Sequence, residues 1–375
     1  MKAAIHQSEL AAAVAVTSRV CSTRPANLVE SAVLLVAGES RLTLTATDYK
    51  VTAESASSAD VMETGRAAVS GSLLAAVAKV LPKGQSVELV ANGSLEVRAG
   101  AGSWRLPLLD ADIYPASPKP GRLLGTVDAA AFGHALSRTL PLLSNPTVPG
   151  VQGAAQLLTD GGLTVACTDT YRLGIAEVDW TPADGPAELT IPGAALKLVA
   201  DAIKGATEVE LYASDGAAAF GTSGSLITVP LLAKYVPWQK LDLDPEGLPL
   251  RIVVDVKQAA DALARATAVL DPKEAVRLTI TSQTLTFAAP SAKRDTDAAQ
   301  SIDLLDWDDE SPREFVTVVN PAFFREALTA IGGTRASLFF PPDPNRPFLL
   351  RPAGEQGEIH DHYRHIFMPI RQVSR

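Results

Sequence analysis

The chain has 375 residues, 47% of them hydrophobic, which is enough to bury several cores and excludes disorder for its bulk. Its formal charge is −9, from 33 Lys+Arg against 42 Asp+Glu, so no global field draws in a polyanion and any contact with nucleic acid must be local. Two cysteines, Cys21 and Cys167, form no disulfide framework and suit a reducing cytoplasm, and no segment approaches the roughly 20 apolar residues of a membrane span.

The first patterned stretch, about 7 to 20, contains the apolar run Leu10 to Val16. Glu9 abuts the run and Ser18 and Arg19 continue an amphipathic period, so it reads as a helix and not as the core of a signal peptide. RLTLTATD (41–48) alternates in period two and predicts a strand. SGSLLAAVAKVL (70–81) opens on a Ser cap and predicts a helix, and PLLDADIYP (107–115) reads as a strand closing on proline.

The series then returns twice. A helix opened by Asp128 (128–140), the strand GLTVACTD (162–169), the helix IPGAALKLVADAI (191–203) and the closing segment PLLAKYVP (230–237) form the second round. Gly221 and Gly224 in GTSGS mark a hairpin turn within it. The third round is a helix opened by Asp255 (255–269), TLTFAAP (284–290), VNPAFFREALTAI (319–331) and HIFMPIR (365–371). A repeat of this length with two helices and many short strands predicts an α+β fold in three similar domains. The Pro- and Gly-rich linkers 115–125 and 241–250 place the boundaries at 1–119, 120–246 and 247–375.

Chemistry is sparse. There is no G-x-S-x-G, G-x-x-x-x-G-K, H-E-x-x-H or paired C-x-x-C, so neither an enzyme nor a cofactor is expected. His360, His362 and His365 cluster around Asp361 and could begin a metal site, but the segment leads from a Pro/Gly-rich stretch into the last strand, where polar residues fill a loop and its edge, so no metal is expected. Asp169 and Arg172 can be read as a buried ion pair holding a turn.

Several ordered segments resemble the DNA polymerase III β sliding clamp family of bacteria. They are Arg24-Pro25 after the first helix, Ala111-Asp112-Ile113-Tyr114-Pro115, Thr168-Asp169-Thr170-Tyr171-Arg172-Leu173 (similar to the family's T-D-x-H-R-L) and Met368-Pro369-Ile370-Arg371 (similar to M-P-M-R). The resemblance implies two chains closed head to tail into a ring, helices inside and sheets outside. It implies a homodimer that encircles duplex DNA without sequence preference and tethers the replicative DNA polymerase. An ATP-dependent clamp loader and repair and ligation proteins would be further partners, with no membrane among them.

It also implies sites. A pocket for linear motifs between the second and third domains would use Val151, Thr168, Thr170, Tyr171, Arg172, Leu173, Pro237, Leu241, Leu243, Ile366, Met368, Pro369, Ile370 and Arg371. Arg24, Lys79, Arg138, Lys197, Lys204 and Arg265 would meet DNA. Trp104, Leu106, Val269 and Leu270 would meet the second chain. Charge on the helices agrees: Arg19, Lys79, Lys83, Arg138, Lys197, Lys204, Lys257, Arg265 and Arg325 against Glu9, Asp128, Asp201, Asp261 and Glu326 give 9 − 5 = +4 in a chain of net −9. A positive lining and an ordinary solvated helix face both fit that count.

The pocket motif departs from the family. Thr170-Tyr171 replaces Gly-His, Trp238-Gln239-Lys240-Leu241-Asp242 alters a basic run, and Ala26 to Ser31 lacks the usual Leu-Pro-Ile-Leu. A specialised second clamp tolerant of clamp-directed peptide antibiotics, a clamp-like scaffold never loaded on DNA, and a hydrolase on the same fold are the competing expectations.

Overall fold

The computed structural model describes residues 1–144, 153–233, 237–241, 243–271, 274–290, 296–308, 314–355 and 362–371. The expected threefold repeat is present, and each repeat is itself two copies of one βαβββ unit. The first repeat runs β1 (Lys2–His6), α1 (Gln7–Thr17), β2 (Ala32–Gly38), β3 (Arg41–Thr47), β4 (Thr52–Ser58). After a short β5 (Asp60–Glu63) come β6 (Gly65–Ser70), α2 (Gly71–Val80), β7 (Ser86–Ala91), β8 (Ser94–Ala99) and β9 (Gly102–Pro107).

The second repeat runs β10 (Arg122–Asp128), α3 (Ala129–Thr139), β11 (Ala154–Leu158), β12 (Leu163–Thr168), β13 (Arg172–Val178). A short β14 (Thr181–Pro182) precedes β15 (Glu188–Pro192), α4 (Gly193–Ala202), β16 (Glu208–Ser214), β17 (Ala217–Gly221) and β18 (Ser225–Pro230). The third runs β19 (Leu250–Asp255), α5 (Val256–Thr267), β20 (Val276–Thr281), β21 (Thr284–Ala288), β22 (Ala299–Asp303). A short β23 (Asp306–Trp307) precedes β24 (Glu314–Val319), α6 (Pro321–Ile331), β25 (Arg335–Phe340), β26 (Phe348–Ala353) and β27 (Arg364–Phe367).

All six helices fall where the periodicity puts them, and their starts have local causes. Ser70, Asp255 and Asn320 each accept a backbone N–H from the first turn, and Asp128 accepts one from Ala131 at 2.8 Å. Asn320 is followed by Pro321, whose missing N–H costs nothing at a first turn, and Gly332 ends α6 in the left-handed region at φ 71°. The proline-ended segments are a correction. Among the described residues only their opening residues are strand; beyond Pro107 the chain keeps one bridge to β6, Leu109 opposite Ala68, and buried Tyr114 ties it down by donating to Thr45 O at 2.9 Å and Ala32 O at 3.2 Å.

By contacts the chain forms two compact units that do not follow the repeat boundaries: 1–133 with 159–162 and 179–233, and 134–158 with 163–178 and 234–375. The first holds the sheet β5-β1-β7-β8-β9 and a nine-stranded sheet β14-β10-β16-β17-β18-β4-β3-β2-β6. In the second, β11-β12-β13-β27-β26-β25-β19-β23 lie in one sheet and β22-β21-β20-β24 in another. The reason the middle repeat divides is visible in the ladders. β18 pairs with β4 of the first repeat (Ile227 opposite Ala53), and β27 of the third pairs with β13 (Ile366 opposite Leu173), so each junction between repeats is a continuous sheet.

Candidate peptide-binding groove

The turn joining β12 to β13 is built by its own side chains. Thr168 Oγ1 donates to Arg172 O at 2.7 Å, while Asp169 Oδ1 accepts from the backbone of Tyr171 and Arg172 at 3.1 Å each. Thr170 sits at φ +74°, a left-handed value uncommon for a threonine. The same construction recurs in the first repeat. Thr47 Oγ1 donates to Val51 O, Asp48 Oδ1 accepts from Lys50 and Val51, and Tyr49 takes φ +67°. The Thr-Asp turn and its left-handed residue are therefore shared by the first two repeats.

What differs is the company. Beside the second-repeat turn lies a groove of about 630 Å³, lined by Thr168, Thr170, Arg172, Leu173, Lys240, Leu241, Leu243, Leu248, Ile366 and Met368 and by Pro341, Pro342, Asp343, Arg346 and Pro347. Its floor continues into a buried cluster containing Leu173, Ile175, Trp238, Leu248, Phe339, Leu349 and Ile366. At the matching places of the first junction stand Thr52 and Thr228, cross-strand partners in the positions of Leu173 and Ile366. An apolar floor with charged groups at the rim suits short segments anchored by Leu or aromatic side chains.

The Arg172 side chain is 1% exposed and carries its charge into the wall. Its Nε donates to Asp169 Oδ2 at 3.0 Å, its Nη1 lies 2.7 Å from Glu326 Oε2, and its guanidinium carbon sits 4.2 Å from the Phe323 ring centre. The ion pair expected to hold the turn is buried, and its Arg172 borders the groove. Behind the wall, His365 is fully buried with Nδ1 2.9 Å from Tyr363 Oη. Burial, and then the nearby Arg172 and Arg138 charges, push the His365 pKa down to about 3, so it is neutral near pH 7.

Of the expected pocket residues, Thr168, Thr170, Arg172, Leu173, Leu241, Leu243, Ile366 and Met368 line the groove, while Tyr171, Pro237, Pro369, Ile370 and Arg371 do not. Tyr171 is exposed beside it with its ring 6.4 Å from Phe323, and its carbonyl accepts from Met368 N at 2.8 Å. Val151 and Asp242 lie outside the described residues. Sequence reasoning missed Lys240, Leu248 and the 341–347 loop. The run Pro-Pro-Asp-Pro-Asn-Arg-Pro was the available signal, since proline density stiffens an exposed loop.

Arg24, Lys79, Lys197, Lys204 and Arg265 are exposed. Lys204 reaches Asp201 at 2.5 Å, and Arg19 pairs with the same carboxylate. Arg138 departs from expectation. It is buried, donates Nε to Ala330 O at 2.5 Å and Nη2 to Ile331 O at 3.1 Å, and stacks 3.9 Å over the Tyr363 ring, so it ties α3 to the end of α6 in place of meeting a phosphate. Leu106 departs as well: it is buried within its own sheet, and Trp104 folds half-buried over Gly102. Val269 and Leu270 are half-buried in the turn after α5. His360 lies outside the described residues, and His362 and His365 do not converge, one exposed 3.9 Å from Glu177 and the other enclosed. Among the described residues no group of three His, Cys, Asp or Glu could hold a metal.

The comparisons with known proteins fit this geometry. The family model "DNA polymerase III beta subunit, N-terminal domain" matches residues 1–118. The beta sliding clamp of Streptomyces coelicolor is 30% identical over 383 residues, covering 99% of each chain, and the beta sliding clamp homolog GriR of Streptomyces muensis is 26% identical with the same coverage. The crystal structure of DNA polymerase III subunit beta from Pseudomonas aeruginosa superposes with TM-score 0.88 over 99% of this chain and 100% of that one, at 21% identity. The three-domain α+β fold is thus that of a sliding clamp. This chain belongs to the beta sliding clamp family of DNA polymerase III.

Proposed function

We propose that two copies of this chain close head to tail into a ring around duplex DNA and tether the DNA polymerase for processive synthesis, without catalysing a reaction themselves. The open sheet edges carry the ring. At the junction of repeats one and two, the fourth strand of a second half (β18) pairs with the fourth strand of a first half (β4); at the next junction β27 pairs with β13 in the same way. Among the described residues that rule leaves β9 and β22, both edge strands, each unpaired on its outer side. Pairing β9 of one chain with β22 of the other extends the pattern to a third junction and closes a ring of two chains. Arg105 on β9 and Asp303 on β22 supply opposite charges to those edges.

Exposed Arg24, Lys79, Lys197, Lys204 and Arg265 would touch phosphates loosely, which holds a duplex without reading its sequence. The groove would receive linear segments of the polymerase, of an ATP-dependent clamp loader and of repair and ligation proteins. Burial pushes the Cys21 thiol up to about 11 and Cys167 to about 12, so neither serves as a nucleophile near neutral pH. No helix among the described residues is long and apolar enough to cross a membrane, and the work proposed belongs in the cytoplasm.

The test is loading onto nicked circular DNA with the cognate loader and ATP, then linearisation. A ring stays on the circle and slides off the cut ends; a scaffold that binds partners but is never loaded is not retained at all. A second reading, a specialised clamp that tolerates clamp-directed peptide antibiotics, draws on the exposed Tyr171 beside the groove and on the likeness to GriR. Tyr171→His should then strengthen binding of such an antibiotic more than binding of a partner segment, and equal changes in both remove that reading.

A further inference from the structure

The last turn of α4 carries a carboxylate where a helix disfavours one. The carbonyl end of a helix repels negative charge, yet Asp201 stands one residue before the end of α4 at Ala202, and no basic residue shares that turn. Its counter-charges come from outside the helix. Arg19, two residues beyond the end of α1 in the first repeat, pairs with Asp201 Oδ2, and Lys204, two residues beyond the end of α4, donates to Asp201 Oδ1 at 2.5 Å. All three side chains reach solvent, 43% exposed for Arg19, 38% for Asp201 and 71% for Lys204. The hydrogen bond from Lys204, and then the charges of Arg19, Lys204 and Lys197, hold the Asp201 carboxyl below its ordinary range, so it is ionised at neutral pH.

Lys197 makes the contrast. It lies four residues before Asp201 on the same face of α4, is exposed, and makes no ion pair among the described residues. Joining the first two repeats does not require the carboxylate, because β4 and β18 already pair there from Thr52 to Ser55, and an exposed ion pair adds little to stability. A duplex beside these helices would meet one cation ready for a phosphate and two that must first leave Asp201.

We infer that Asp201 is an internal competitor of DNA phosphate: it withholds Arg19 and Lys204 from a duplex and keeps the hold of this helix face loose, with Lys197 as its main contact. This rests on the reading of the exposed helix cations as the lining of a hole around DNA.

The test loads the labelled full chain, with the cognate loader and ATP, onto long duplex DNA anchored at both ends and follows its one-dimensional diffusion as KCl is raised. Asp201→Asn should slow diffusion about threefold at low salt, the effect of one added exposed ion pair. The difference should vanish by about 0.5 M KCl, where the screening length falls to about 4 Å. Lys197→Ala should speed diffusion in wild type and in Asp201→Asn alike. Arg19→Ala and Lys204→Ala should have little effect in wild type and about a twofold effect once Asp201 is Asn, a non-additivity expected only of groups in contact. Glu9→Gln removes an exposed carboxylate of α1 that has no ion-pair partner among the described residues, and it controls for net charge. If Glu9→Gln slows diffusion as much as Asp201→Asn, or Arg19→Ala acts equally in both backgrounds, the inference is overturned and the ring stands. If Asp201→Asn loses stability in chemical denaturation and diffuses no more slowly, Asp201 serves the junction alone and the inference is again overturned. A wild-type chain that is never retained on DNA overturns both the inference and the ring.

Discussion

Leu173 and Met368 both line the groove, yet truncating them should have opposite consequences. Met368 is 38% exposed in the free chain, so that share of its surface is left for a ligand to cover, whereas Leu173 is 2% exposed and has nothing left to bury. Full burial of a Met side chain contributes about 1.5–3 kcal/mol, so covering the remaining share of Met368 contributes roughly 0.6–1.1 kcal/mol. Lost packing against an anchor side chain brings the expected cost of Met368→Ala to about 1.5 kcal/mol, roughly tenfold in affinity. Leu173→Ala instead opens a cavity beneath the groove and should destabilise the fold by about 2–5 kcal/mol. The assay is anisotropy with a Leu- and Phe-containing peptide, run beside chemical denaturation of each variant. If Met368→Ala binds within twofold of wild type, or Leu173→Ala loses affinity without losing stability, the assignment of floor and rim is wrong.

His365 is neutral when folded and protonates near pH 6.5 when unfolded, so the unfolded chain gains a proton first as pH falls; stability should drop by about 1.4 kcal/mol between pH 7.5 and 5.5 and continue downward toward pH 3. His365→Phe should remove that part of the slope in denaturation at the two pH values, and an unchanged slope would place its cause elsewhere. Trp104→Ala with Leu270→Ala should yield monomers in light scattering, because Trp104 lies on β9 and Leu270 follows α5, the helix that packs against β22; a persistent dimer would move the interface. Reversing Arg24, Lys197 and Lys204 to Glu should reduce retention on circular DNA while the dimer survives. Lys204 should contribute least of the three because Asp201 already holds it, and the hydrogen bond to Lys204 keeps the Asp201 carboxyl below its usual range.

The parts of the site that were legible in the sequence are those with a local cause. Thr168 to Leu173 could be singled out because a Thr-Asp turn is built by neighbours two to four residues apart, and the six helices because period and caps lie within a dozen residues. Arg138 shows the limit. On its helix it reads as a cation with a free end, and its burial depends on carbonyls of Ala330 and Ile331 nearly two hundred residues away. Leu106 fails in the same way, since alternation shows that a strand has an inner face without showing how completely that face is covered.

From sequence alone came the α+β class, the three repeats, the sliding-clamp resemblance and half of the groove, because periodicity, capping and turn chemistry are short-range and survive divergence. Only the tertiary structure decided the rest. It showed that each repeat is two βαβββ units, that β4 meets β18 and β13 meets β27 while β9 and β22 stay open, and that α6 and the 341–347 loop reach the Arg172 wall. Those facts rest on strand edges and buried charges pairing across long loops, and a backbone edge carries no side-chain signature that the sequence could display.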